Sequence, residues 1–169
     1  MSKWVDKRGP IEASTLYSDG VLAACDVTMN LPAAEFMTAE VKAMGTMDIP
    51  LDALENMEMT ITKIGIDKNS TRLTSPGKKN LEARWVQDVI KSDGSTTKEG
   101  CKAFLVALPV TLMPEGALEI GSTSEGEIKY TITRYRLVVN GEEILLVDRL
   151  AHIIRVNGKD YSRSYDRLL

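Results

Sequence analysis

Residues 127–161 read EIKYTITRYRLVVNGEEILLVDRLAHIIRVNGKDY, and this stretch decides the fold. At its start, apolar side chains recur at every second position over 128–132, which is the period of a strand with one buried face. Asn140 and Gly141 follow. Both residues tolerate positive φ, so together they give the strongest short hairpin signal. The partner strand returns over residues 142–147.

The same pattern recurs after a short break at residues 148–151. A strand over 152–156 meets Asn157 and Gly158, and residues 159–161 return along it. Two antiparallel hairpins in series predict that the C-terminal third of the chain is a sheet. The rest of the chain must then supply the cover for that sheet.

Alternating segments upstream predict further strands, each bounded by a turn signal. They lie at residues 11–17, 21–31, 57–62, 81–85 and 98–112. Asp67 is expected to cap a short helix. With about eight strands and one or two short helices, the fold class is mainly β, an antiparallel β-sandwich or barrel. Cys25 falls on the apolar side of its strand and is interpreted as a small core residue.

The length of 169 residues predicts a single domain over 1–169, with residues 1–10 as an N-terminal arm. A net charge of −3 gives no general basic bias toward nucleic acid. The N-terminus lacks the apolar core of a secretion signal, and the longest apolar run is too short for a bilayer, so no membrane partner is expected. Cys25 and Cys101 have no CxxC partner. A reduced pair is the preferred interpretation, and a disulfide stays open.

Residues 33–56 admit two interpretations. Helix formers dominate 33–44 and would place an apolar stripe on one helix face, formed by Phe36, Met37, Val41 and Met44. Gly45 and Pro50 then break any regular element. Six of the eight methionines lie between positions 29 and 59. Methionine suits a surface that adapts to a partner, but it also fills cores, so composition alone leaves both roles open.

Residues that could carry catalysis are sparse. The single histidine, His152, begins a hairpin strand, and no spacing resembles a zinc site or a phosphate-binding loop. Arg134 and Arg136 share one strand face, and an acidic cluster consists of Asp48, Asp52, Glu55 and Glu58. A partner-facing or solvated role is commoner for such groups than catalysis. We predict no catalytic, cofactor-binding or metal-binding residue, and a structural role.

The order of several motifs resembles that of the major tail tube proteins of contractile phage tails and phage-tail-like bacteriocins. The motifs are LYSDG at 16–20, a strand that ends in Leu-Pro at 31–32, Met-Gly at 44–45, the hairpin at 130–147 and VNGKDY at 156–161. The resemblance covers the chain from about Thr15 onward. The short helical segment after residue 62 and the arm at 1–10 depart from it.

The resemblance implies a hexameric ring in which subunit sheets join edge to edge, with rings stacked into a tube inside a sheath. It implies that residues 33–56 form an extended inter-subunit arm instead of a helix, and that residues 162–169 are a C-terminal tail. The expected inter-subunit contacts are Phe36, Met37, Val41, Met44, Gly45, Met47 and Asp48. The bore is expected to be acidic or neutral, with Lys and Arg mostly elsewhere.

The implied partners are other copies of the chain, a sheath protein, the baseplate and a tail terminator. A tape-measure protein and DNA would occupy the lumen transiently, and no cofactor is implied. The expected location is the tail of the virion or of a phage-tail-like particle, after synthesis in the cytoplasm of the bacterial host.

Three alternatives remain at this point. They are the tube of a contractile secretion system, a monomeric β-barrel that binds a small ligand, and an enzyme that uses the acidic cluster. A tube subunit assembles and lacks a deep polar pocket, whereas a ligand-binding barrel is a monomer with one.

Overall fold

The computed structural model describes residues 5–162, 165, 168 and 169. Its elements, in chain order, are β1 (Lys7–Ser18), β2 (Val21–Cys25), β3 (Thr28–Asn30), β4 (Phe36–Lys42), β5 (Thr46–Leu54), β6 (Met57–Ile64), α1 (Lys68–Thr74), β7 (Lys79–Ile90), β8 (Thr96–Pro109), β9 (Glu125–Val139), β10 (Glu142–Asp148), β11 (Ile153–Val156) and β12 (Lys159–Asp160). The mainly β class is confirmed, and both Asn-Gly hairpins form where the sequence predicts them.

Strand β9 lies at the centre of the main sheet, which has ten strands among residues 5–162. β8 pairs along one edge of β9, while the other edge carries β6 over residues 125–132 and β10 over residues 134–139. The register against β8 shifts at this junction and leaves Thr133 as an extra residue. The bulge inverts the alternation, so Ile132 and Tyr135 both face the core. The predicted period therefore holds only as far as Ile132.

The described part of the main sheet curls around the core without closing into a barrel. Its hydrogen-bonded order runs β12-β11-β10-β9-β8-β7-β1-β2, and β3 pairs with β6. Asp26, with φ of 50°, and Val27 join β2 to β3. The Asp26 amide donates to the Ser14 carbonyl over 2.8 Å, and the Ser14 hydroxyl donates to the Val27 carbonyl over 3.1 Å. The prediction of one strand over 21–31 is therefore wrong, because the chain bends there between two parts of the sheet.

The core packs between the long strands and the layer formed by β3, β6 and α1. Leu16, Met57, Met59 and Tyr130 are fully buried in it. The Tyr130 hydroxyl donates a 2.7 Å hydrogen bond to the carbonyl of Leu73 in α1, and burial raises the pKa of this tyrosine. The interior is thus filled by side chains, and the Tyr130 hydroxyl ties the helix to the sheet.

The short helix begins as predicted. The Asp67 carboxylate accepts a hydrogen bond from the Ser70 amide over 3.0 Å, and the Ser70 hydroxyl accepts one from the Asp67 amide over 3.4 Å. This capping box satisfies two donors that the helix start would otherwise leave open. The cap at Asp67 is confirmed.

The prediction that Cys25 faces the core is wrong. β1 and β2 shift register after Leu16, so Ala23 and Ala24 both face the core. A one-residue shift moves every later side chain to the other face, which leaves Cys25 exposed. Cys101 is buried, and both thiols are free.

Residues 7–10 of the predicted N-terminal arm belong to β1 and run along β7. The Arg8 guanidinium lies 3.2 Å from the Glu99 carboxylate, and the Gln87 side-chain amide donates to the same oxygen over 3.0 Å. Arg8 holds the pKa of Glu99 below its usual value. Of the predicted tail at 162–169, residues 163, 164, 166 and 167 lie outside the described part.

We expect Gly141→Val to destabilise the protein, because Gly141 has φ of +82° in the β9–β10 turn. An L side chain is strained there by about 1–3 kcal/mol. The measurement is the free energy of unfolding in denaturant. Gly100→Val is the matched control, since Gly100 lies in β8 with open space for a Cβ. Equal stability of the two variants would show that the turn does not require positive φ.

We expect Glu99→Gln to reduce stability at neutral pH by less than about 1 kcal/mol, because the Arg8 partner is half exposed. A lowered carboxyl pKa contributes stability above the unfolded value of about 4.5 and loses it as pH falls through the folded value. The difference between wild type and variant should therefore shrink below pH ~4.5. Thermal midpoints from pH 7 to pH 3 measure this. Glu115→Gln, in an exposed loop, is the control, and a difference that persists unchanged into acid would contradict the expectation.

Candidate inter-subunit surface

The segment at 33–56 contains a β-hairpin made of β4 and β5, which pair with each other in a sheet of their own. At its tip, Met44 has φ of 50° and Gly45 has φ of +116°, and the Ala43 amide donates to the Gly45 carbonyl over 2.8 Å. The helix favoured by composition over 33–44 does not form. The extended arm implied by the resemblance does. All seven residues expected to contact neighbouring subunits lie in this hairpin.

The two faces of the hairpin differ in polarity. Strand alternation and register place apolar residues on one face, which are Met37, Ala39, Val41, Met47 and Ile49. Of these, Met37, Val41 and Met47 are 45%, 41% and 49% exposed. Because these side chains stay nearly half exposed in the described chain, this apolar face has the character of an interaction surface.

The opposite face carries like charges in register. Glu40 lies directly opposite Asp48, an arrangement that destabilises an isolated strand pair. A two-stranded hairpin is also only marginally stable in water by itself. The hairpin thus combines an exposed apolar face with a polar face on which two carboxylates oppose each other, and both features favour stabilisation by another molecule.

The base of the hairpin is fixed to the main sheet. The Glu55 amide closes the hairpin base by donating to the Glu35 carbonyl over 2.8 Å, and Arg149 links this base to the main sheet by donating from Nη2 to the Leu54 carbonyl over 3.2 Å. Beside this contact lies a cavity of about 300 Å³, lined by residues that include Met37, Asp52, Arg149, His152 and Tyr161. Arg149 therefore ties the hairpin base to the main sheet. This role was not predictable from sequence, because only the short break at 148–151 marks the position.

A second exposed apolar segment lies in the loop between β8 and β9. Leu112, Leu118 and Ile120 are exposed there. The Gly/Ser/Glu-rich composition predicts the loop but gives no reason to expect a surface. The apolar residues between its glycines were the sequence signal that could have indicated an exposed apolar surface.

The strand edges are the third feature of this surface. β2 pairs only with the last residues of β1, over 15–18, so no described residue pairs with that edge of β1 over residues 7–13. Within the described part of the chain, β12 ends the other side of the sheet after two residues. Open edges offer unpaired N–H and C=O groups to another strand.

The residues considered for chemistry do not converge. Asp48 lies near the hairpin tip, whereas Glu58 pairs with Thr131 in the main sheet. Among the described residues, no group of His, Cys, Asp and Glu could hold a metal ion. His152 sits in the bend before β11 with φ of 56° and lines the cavity at the hairpin base. No helix in the described ranges is long and apolar enough to cross a membrane.

The fold and the projecting hairpin define a β-structured assembly subunit, and sequence comparison gives its family. The phage tail tube protein FII family matches residues 10–169, so the chain belongs to that family. It is a structural subunit of a tail tube. No curated protein sequence matches the chain.

Solved structures share the fold. A chain of the PVC sheath–tube complex, from an extracellular contractile injection system in its extended state, aligns with a TM-score of 0.51 at 13% identity, covering 76% of this chain and 90% of that one. A chain of the PVC sheath/tube terminator in the extended state gives the same TM-score and identity, and 95% of it is covered. The resemblance read from the sequence motifs is confirmed.

We expect Met47→Asp to leave the protomer folded and to weaken assembly, because it places a charge on the apolar face of the hairpin. The effect on the critical concentration for assembly, followed by light scattering, should be about tenfold or more, as for a lost interface anchor of over 1 kcal/mol. Thr46→Asp is the matched control, because Thr46 pairs with Lys42 beside the tip and gains the same charge next to a cation.

Deletion of residues 38–48 should abolish tubes and keep the β-sheet circular dichroism of the main sheet. Loss of that signal would show that the hairpin supports the fold. Equal assembly by the two point variants would show that the apolar face is not a contact.

Proposed function

We propose that the chain forms one domain over residues 1–169, that six copies close into a ring, and that rings stack into the inner tube of a contractile phage tail or phage-tail-like particle. The hairpin at 36–54 supports this most directly, because apolar side chains on one of its faces stay nearly half exposed within the described chain. Residues 33–56 would then be the inter-subunit arm, with contacts at Phe36, Met37, Val41, Met44, Gly45, Met47 and Asp48.

Ring closure would also occupy the strand edges. A sheet that is open at β1 and at β12 can continue into the sheets of two neighbours, and a closed ring leaves no edge unpaired. In this arrangement the sheets give the ring its wall, and the hairpins reach beyond it. The chain has no enzymatic role in this proposal and needs no cofactor.

The proposed partners follow from a tube inside a sheath. They are further copies of the chain, a sheath protein, the baseplate and a terminator, with a tape-measure protein and DNA in the lumen during assembly and ejection. The likeness to chains of PVC sheath–tube and sheath/tube terminator complexes supports the contacts with further copies of the chain, with a sheath and with a terminator. Synthesis would take place in the bacterial host, before incorporation into the tail.

A second candidate is the tube of a contractile injection system, since the similar solved structures come from one. The subunit and its assembly would be the same, and the cargo would differ. A monomeric ligand-binding barrel is not supported, because Leu16, Met59 and Tyr130 fill the interior.

The direct test is assembly of the purified chain. Concentrated protein should form six-fold rings and hollow tubes in negative-stain micrographs, and its scattering should rise with concentration. A monodisperse monomer at every concentration and salt would overturn the proposed function.

A further inference from the structure

The main sheet has a face that points away from the core, and we call it the open face. It comprises the side chains of β7 to β12 that alternate with the core residues. Lys102 and Arg134 are exposed on this face, whereas α1 and β6 pack on the core side through Leu73 and Met59. The bulge at Thr133 sets the phase that sends Arg134 and Arg136 to the open face.

Charge on the open face is dense and balanced. Seven cations lie on it, which are Arg84, Lys98, Lys102, Lys129, Arg134, Arg136 and Arg155. Seven carboxylates lie among them, which are Glu82, Asp88, Glu125, Glu127, Glu143, Asp148 and Asp160. The face therefore carries no net formal charge, on a chain whose net charge is −3.

The balance is built from contacts within and between strands. The Arg84 and Glu82 side chains are 2.6 Å apart, and Arg136 lies 2.8 Å from Glu143. Glu143 also lies 3.5 Å from Arg155, so one carboxylate serves two guanidinium groups.

Arginine side chains on this face are also held by aromatic rings. Arg84 stacks 4.2 Å above the ring of Tyr17, and Arg136 lies 5.5 Å from that of Phe104. Such contacts hold a guanidinium close to the sheet.

We propose that the open face is the wall of the bore, and that its arginines are neutralised in place by carboxylates so that a passing polyanion is not held. The inference rests on the proposed function. In a ring of sheets joined at their edges, one face of each sheet points to the axis. α1, β3 and β6 cover the other face, so the open face is the one left for the bore.

Pairing matters because unpaired cations on a bore wall bind phosphates and release counterions, with affinity that grows as salt falls. An arginine that already donates to a carboxylate offers little to a phosphate. The bore expected from sequence is acidic or neutral with few basic residues. The open face achieves near-neutrality by a different route, since it keeps its basic residues and pairs them.

The position of the open face is tested by thiol labelling of assembled tubes. In a Cys25→Ser background, Lys102→Cys places a thiol on the open face, and Lys68→Cys places one on α1. A small maleimide should label both. A maleimide carried by a globular protein larger than the subunit should label only position 68 in tubes, and both positions in dissociated subunits.

If the large reagent labels position 102 in intact tubes, the open face does not line the bore. If neither reagent labels position 102 in intact tubes, the placement of the open face in the bore is also wrong. Failure to form tubes would instead overturn the proposed function, and micrographs of the same sample show which has failed.

The role of pairing is tested with Glu82→Gln/Glu143→Gln, which frees Arg84, Arg136 and Arg155. Tubes of this variant should retain fluorescent duplex DNA at low salt about tenfold more strongly than wild type, and salt should abolish the gain. Glu115→Gln/Glu119→Gln makes the same change of charge in the exposed β8–β9 loop and should behave as wild type. Retention by wild type, or equal retention by both double variants, would overturn the proposal.

Discussion

The structure depends on one shared edge, that of strand β9, where β6 and β10 pair in succession on either side of Thr133. Since β10 leads the sheet outward and β6 leads it back over the core, both layers of the molecule start from one strand. The extra residue at Thr133 lets the apolar residues on both sides of it, Ile132 and Tyr135, face the core. Without it, Arg134 and Arg136 would point toward the core, and Tyr135 would leave it, at a large cost for buried unpaired charge.

Much of the fold was accessible from sequence because its determinants are local. The turns at Gly141 and Gly158, the cap at Asp67 and the alternation over 128–132 each depend on residues a few positions apart. The β-bulges could not be predicted from sequence, because a residue is extra in a strand only relative to its pairing with the partner strand. Cys25 was misplaced for this reason.

The hairpin shows a different limit. Helix propensity over 33–44 was outweighed, since propensities are weak compared with strand pairing and tertiary context. The family resemblance supplied the extended arm, because motif order carries information about architecture that composition lacks. Arg149, which ties the hairpin base to the main sheet, was marked in the sequence only by the short break at 148–151. The placement of the candidate contacts was thus predictable, but their direction relative to the sheet was not.

The hairpin and the open face differ in whether their charged and apolar groups already have partners within the subunit. On the hairpin, methionines are uncovered and Glu40 faces Asp48, so the free energy of that surface falls when another molecule covers it. On the open face, Arg136 and Arg155 share Glu143, so contact with an outside anion must first replace an existing interaction. A tube needs both properties at once, because its subunits must adhere to each other and its wall must not adhere to its cargo. In the proposed tube these two properties lie on different sheets, joined at the hairpin base, so a change in one surface can leave the other intact.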